Sequence, residues 1–151
     1  MQHLNISEAT DEERYIAAAM ISSSEPWITL GTTLDTCLKF CLDQEYKVFV
    51  ARFGSEICGA MVIHPRGLAS SPYLKSIVVG SNFRSMGIGR ELLRFAEEYF
   101  RKTSMHFFMC VSSFNPRARA LYEKLGYTKV GEFADYILDG QSEILLHKRI
   151  R

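Results

Sequence analysis

The sequence predicts a single mixed α/β domain over residues 1–151, with elements in the order β-α-α-β-β-β-α-β-α-β-β. Three observations carry that prediction. Apolar residues switch along the chain between a spacing of three to four and a spacing of two. Helix-start chemistry follows apolar runs directly, as Gly87-Ile88-Gly89 and as Asn115-Pro116. The composition, 47% hydrophobic and 23% charged in 151 residues, suits a chain that buries a full core without a disulfide or metal staple.

Taken in order, residues 3–8 alternate as a first strand. Thr10 with Glu13 three positions on has the form of a capping box and opens a helix reaching Met20. Residues 22–26 form a Ser-rich loop running into Trp27. Leu34, Cys37, Leu38, Cys41 and Leu42 repeat at i, i+3, i+4, i+7 and i+8, a buried stripe on a second helix. Residues 47–52 and 57–64 are β-branched apolar runs joined by Phe53-Gly54-Ser55-Glu56, a hairpin. After a loop at 65–72 a third strand, 73–79, ends in Ile77-Val78-Val79. A glycine-bearing loop then leads to a helix over 88–102 with Ile88, Leu92, Phe95, Ala96 and Tyr99 as its core face. Residues 106–111 form a further strand. Asn115 at the N-cap and Pro116 at N1 open the last helix, and Gly126 closes it. Strands at 128–138 and 141–148, joined by an Asp139-Gly140 turn, complete the order.

Charge narrows the function classes. Eighteen basic against seventeen acidic residues leave a net charge of +1, with no global field for nucleic acid or an anionic membrane. The first residues lack the basic and apolar regions of a signal peptide, and no apolar run is long enough to span a bilayer. A cytoplasmic protein is expected. The four cysteines, at 37, 41, 58 and 110, form no CxxC pair and have no histidines at zinc spacing, so neither a disulfide framework nor a metal site is expected.

The chemistry concentrates in Arg84-Ser85-Met86-Gly87-Ile88-Gly89-Arg90, between a strand and a helix. Glycines let the backbone approach a ligand, free N–H groups at a helix start hold an anion, and the arginines add full charges. Read without that ligand, the glycines make a tight turn. A dinucleotide fingerprint would need glycine where Leu92 stands and an acidic residue near Met109; a P-loop would need Lys-Ser/Thr where Arg90-Glu91 stand.

Arg84-Ser85-Met86-Gly87-Ile88-Gly89 resembles the Arg/Gln-x-x-Gly-x-Gly/Ala loop of the GNAT superfamily of N-acetyltransferases. One strand later, residues 115–127 resemble that superfamily's Asn-x-x-Ala-x-x-Leu-Tyr-Glu-x-x-Gly-Phe/Tyr segment, with Asn115, Ala118, Leu121, Tyr122, Glu123, Gly126 and Tyr127 in register. The element order matches as well. The resemblance implies central strands that splay apart around acetyl-CoA, a cosubstrate used without metal. It implies that the backbone of Ile77, Val78 and Val79 holds the pantetheine arm and acyl carbonyl. Residues 84–90 would hold the pyrophosphate, and Asn115 would contact pantetheine while also capping its helix. Tyr122 is the implied general acid, with helix packing as its alternative role.

The acceptor side is open. Some members of the superfamily carry a glutamate base in the strand before the Asn helix; here Cys110 occupies that place, read as a small buried hydrophobe, with a thiol acting near the acyl group as its alternative. Glu143 on the last strand, Glu25, His64 and a water chain are the candidate routes for the amine proton. Residues 22–33 should shape the acceptor pocket, with Trp27 enclosing the substrate or stapling the following helix. The expected activity is acetyl transfer to a primary amine through a tetrahedral intermediate; the alternative is a non-catalytic acyl-CoA-binding sensor or interaction module. The final hairpin offers an edge for a homodimer.

Overall fold

The computed structural model describes residues 3–151. Thr10 Oγ1 accepts from Glu13 N at 3.2 Å while Glu13 Oε1 accepts from Thr10 N at 2.9 Å, so both ends of the capping box close. They start α1 (Asp11–Ser22) directly after β1 (Leu4–Glu8). Thr33 caps α2 (Leu34–Leu42) through Thr36 N at 3.2 Å. Next come β2 (Lys47–Phe53), β3 (Glu56–Leu68), β4 (Ser71–Val79), a 3-10 turn (Ser81–Phe83) and α3 (Ile88–Phe100). The chain ends with β5 (His106–Ser112), α4 (Pro116–Lys124), β6 (Thr128–Ala134) and β7 (Ser142–Arg149).

The strands form one sheet in the order β1-β2-β3-β4-β5-β7-β6. Every neighbouring pair is antiparallel except β4 and β5, which run parallel and pair only at Tyr73↔Phe108 and Leu74↔Met109. Beyond those rungs the two strands separate, giving the splay that the sequence motifs imply. A bulge in β4 sits at the fork: β3 passes from Val62↔Ser76 to Ile63↔Leu74, so Lys75 has no opposite residue.

Two cores sandwich the sheet. Ala17, Ala18, Ile21, Cys37 and Cys41 of the first two helices cover Val48, Val50, Ala60 and Val62. Leu92, Leu93 and Ala96 of α3 cover Phe49, Met61, Phe107, Met109 and Leu146 on the other face. Arg14 is 5% exposed and donates to Cys41 O at 2.8 Å, Asp43 O at 3.3 Å and Tyr46 O at 3.2 Å, tying α1 to the end of α2.

Four local expectations change. Leu34, expected in the buried stripe of α2, is 46% exposed, and Phe40 joins Cys37 and Cys41 among the buried residues instead. The predicted loop at 65–72 is mostly strand, and β3 turns into β4 through Ala69 and Ser70, at φ 50° and 60°. Pro65 and Gly67 are tolerated because the ladder is interrupted between His64 and Leu68. On α3 the buried residues are Ile88, Leu92, Leu93, Ala96 and Phe100, while Tyr99 is exposed and packs its ring 5.1 Å from Phe49 at the sheet margin. β6 ends at Ala134 rather than 138, because Asp135 turns to φ 51° and its side chain accepts from Gly140 N, closing a longer loop than Asp139-Gly140.

Candidate active site

The loop from β4 to α3 has the backbone of an anion site. Ser85 and Gly87 are left-handed, at φ 65° and 79°, around Met86, which is exposed. Gly87 is the N-cap of α3 and provides no side-chain cap, whereas Thr10, Thr33 and Asn115 cap the other three helices. The first helical bond of α3 runs from Glu91 N to Gly87 O at 3.1 Å. The N–H groups of Ile88, Gly89 and Arg90 therefore have no helical acceptor. Among the described residues neither Arg84 nor Arg90 forms an ion pair. A Cβ at Gly89 would meet nothing nearer than Val79 Cγ2 at 3.9 Å, an ordinary contact without a clash.

Two cavities occupy the splay. One of about 140 Å³ is lined by Ile77, Val78 and Val79 of β4, Gly89 and Leu93 of α3, and Leu121 and Tyr122 of α4. The other, about 340 Å³, lies between the Trp27 turn, the fork of β4 and β5, and the connection from β6 to β7. Ile77 and Tyr122 line both. The ring of Tyr122 is buried, its centroid 6.4 Å from that of Tyr127, and burial pushes its phenol up to about 12. Among the described residues its hydroxyl makes no hydrogen bond. Asn115 lines the larger cavity, and its Oδ1 accepts from Ala118 N at 3.3 Å, a cap that does not use its amide N–H₂.

The acceptor candidates separate. Glu143 lines the larger cavity, opposite Ser112 in the β5–β7 ladder, and its Oε2 accepts from Ser112 Oγ at 2.6 Å. Trp27 lines the same cavity with its Nε1 buried and unpaired, as is the hydroxyl of Ser76. Glu25 stands outside the lining: its carboxylate accepts from Thr29 N at 2.8 Å and Thr29 Oγ1 at 2.6 Å, bonds that hold it below the usual carboxylate range. His64 is also outside, 3.8 Å from Glu45 and edge-on to Tyr46 at 5.0 Å. Cys110 does line the cavity. Burial raises its thiol, a hydrogen bond with Tyr73 lowers it, and Glu143 adds a further rise. Sequence reasoning missed Tyr73, Lys75, Ser76, Phe133, Tyr136 and Ile137 in the lining. Alternation along β4 gave the one available signal, since Tyr73 and Lys75 fall on a common face.

A mixed sheet split between two parallel strands, with an uncapped glycine turn at one end and a buried phenol in the split, defines an acetyltransferase fold. The chain belongs to the acetyltransferase (GNAT) family, which it matches over residues 8–127. It is 30% identical over 111 residues to the acetyltransferase Atu2258 of Agrobacterium fabrum, covering 70% of this chain and 74% of that one. A GNAT-family protein from Desulfovibrio desulfuricans superposes with a TM-score of 0.85 at 15% identity, over 99% of this chain and 100% of that one. An aminoglycoside 6′-N-acetyltransferase complexed with coenzyme A superposes with a TM-score of 0.80 at 18% identity, over 97% of each chain. Among the described residues, no helix is long and apolar enough to cross a membrane, and no three His, Cys, Asp or Glu side chains cluster as metal ligands.

Proposed function

We propose that this chain transfers an acetyl group from acetyl-CoA to a primary amine by direct attack. The observation that carries the reading is the position of Tyr122 and Ile77 on both cavities at once, where a thioester on one side would meet an amine on the other. Residues 84–90 bind the pyrophosphate through the free N–H groups of the α3 start, with Arg84 and Arg90 as counter-charges. The unpaired edge of Ile77, Val78 and Val79 and the amide of Asn115 hold the pantetheine arm. A backbone N–H at Val79 stabilises the oxyanion of the tetrahedral intermediate.

Glu143 accepts the proton of the attacking nitrogen, its carboxylate oriented by Ser112. Tyr122, at about 12, stays protonated at neutral pH. An ordinary thiol lies near about 8.5, so the phenol supports departure by donating a hydrogen bond to the leaving sulfur, and solvent completes the protonation. Trp27 walls the acceptor side, and Glu25 positions it by closing the turn on Thr29.

Free-thiol release from acetyl-CoA across a panel of amines and N-terminal peptides tests the reading, with Tyr122→Phe alongside. Acceptor-dependent release, reduced in the variant, is expected. A rise in melting temperature on adding acetyl-CoA, without release for any amine, would instead support a non-catalytic acyl-CoA sensor. No thermal shift would remove the cosubstrate itself.

A further inference from the structure

The larger cavity has an unusual charge inventory for a site that takes amines. Among its lining residues Glu143 is the one acid and Lys75 the one base. Ser112 Oγ donates to one oxygen of Glu143, whose single negative charge matches one ammonium. The Lys75 ammonium lies 5.4 Å from the Phe40 ring centroid. A second ammonium on the same ligand would find Lys75, neutral hydroxyl and amide groups and hydrocarbon but no second carboxylate in the lining, and a desolvated cation without a counter-charge is strongly unfavourable.

One side of the wall is largely apolar. Trp27 and Leu30 face it from the turn after α1. Phe133, Tyr136 and Ile137 face it from the end of β6 and the loop beyond, 44%, 69% and 49% exposed. The Phe133 and Tyr136 rings pair at 5.3 Å between centroids. Large apolar side chains left open beside a cavity are what a ligand's hydrocarbon would cover.

We infer that the acceptor is a monoamine: its one ammonium meets Glu143, and an apolar body of ring size lies between Trp27 and the Phe133–Tyr136 pair. Polyamines and aminoglycosides are disfavoured by the same walls. The inference rests on the acetyltransferase reading and deepens it by naming the substrate class.

Trp27 is the protein's one tryptophan and lines this cavity, so its fluorescence reports binding independently of turnover. The probes are 2-phenylethylamine, spermidine and kanamycin, titrated in the presence of free CoA and assayed separately with acetyl-CoA. The expected result is a saturable fluorescence change with 2-phenylethylamine and a kcat/KM at least about tenfold above either polycation. Glu143→Gln should weaken 2-phenylethylamine binding about 10- to 100-fold, the range of a lost hydrogen bond to a charged group. Phe133→Asp, at an exposed position, should lower binding of 2-phenylethylamine and raise that of spermidine. Preferential binding or acetylation of spermidine or kanamycin overturns the inference and leaves the acetyltransferase reading standing. Phenylethylamine binding that depends on Glu143 without any acetyl transfer overturns the acetyltransferase reading and leaves only the monoamine-binding site standing. No fluorescence change with 2-phenylethylamine, or no effect of Glu143→Gln on it, also overturns the inference.

Discussion

At the scale of single residues, Tyr122 and the two glycines of the α3 turn can be tested against their own surroundings. Tyr122→Phe should lower kcat by about 10²-fold, with acetyl-CoA affinity nearly unchanged, if the phenol acts only as the thiolate leaves. Steady-state kinetics and a thermal-shift titration separate the two. Tyr122 also carries a pH signature. A phenol ordinarily ionises at 10.0, and burial pushes this one up to about 12. The folded chain therefore keeps a proton that the unfolded chain loses in that window. Its contribution to stability is complete below pH 10 and falls as pH rises towards 12. Urea melts at about pH 9 and about pH 11 should show a smaller loss in Tyr122→Phe than in the wild type. Tyr73 and Tyr127, also raised chiefly by burial, keep part of the slope. The glycines divide differently. Gly87 stands at φ 79°, so Gly87→Ala should cost about 1–2 kcal/mol of stability. Gly89 is inside α3 and a Cβ there meets only an ordinary contact with Val79, so Gly89→Ala should preserve or raise Tm while raising KM for acetyl-CoA. A fall in Tm without a change in KM would remove Gly89 from the phosphate site.

At the scale of elements, the helices begin where side chains answer their free N–H groups, and α3 begins where none does. Thr10→Ala removes the hydroxyl side of the α1 box and should cost about 1 kcal/mol, lowering Tm by about 2–4 °C. The β5–β7 pair holds a different device. His106 Nδ1 lies 2.8 Å from His147 Nε2 across the two strands. Burial, then the neighbouring His106, lowers His147 below its ordinary 6.5. Neutral His147 thus stabilises the fold above about pH 6.5, and that contribution is lost as pH falls further. Melts at about pH 7.5 and about pH 5 should show a smaller acid loss in His147→Gln than in the wild type.

At the scale of the whole molecule, the opening between β4 and β5 has to be held by the two cores on either side. Arg14 secures one of them, with three carbonyl oxygens of the α2 end and the following turn bound to its buried guanidinium. Arg14→Met would leave those oxygens to find water or go unpaired. A loss of about 3 kcal/mol is expected, a fall in Tm of roughly 6–12 °C. Calorimetry checks it, and a change within about 1 °C would show that the carbonyls find other partners. The Lys75 bulge belongs to the same architecture: it lies immediately past the last rung joining β4 to β5, where the strands separate.

The sequence by itself determined what short spans of chain decide. Thr10 with Glu13, Asn115 with Pro116, and the glycine turn at residues 84–90 act within a few residues of themselves, so their local geometry was legible before the fold. The two motifs and the element order gave the family and the splayed sheet. Local pattern failed where a neighbour from elsewhere decides. Ala69 and Ser70 turn left-handed without glycine, asparagine or aspartate because the Leu68↔Ser71 pair closes the hairpin around them. Tyr99 lost its predicted core place to Phe100 because the sheet margin, not helical spacing, sets which ring is covered. The larger cavity is the fullest case. Trp27, Tyr73, Cys110, Tyr136 and Glu143 lie far apart in sequence and meet because two parallel strands part after two rungs. Where strands part is set by packing on both faces of the sheet, and no window of the sequence contains that information.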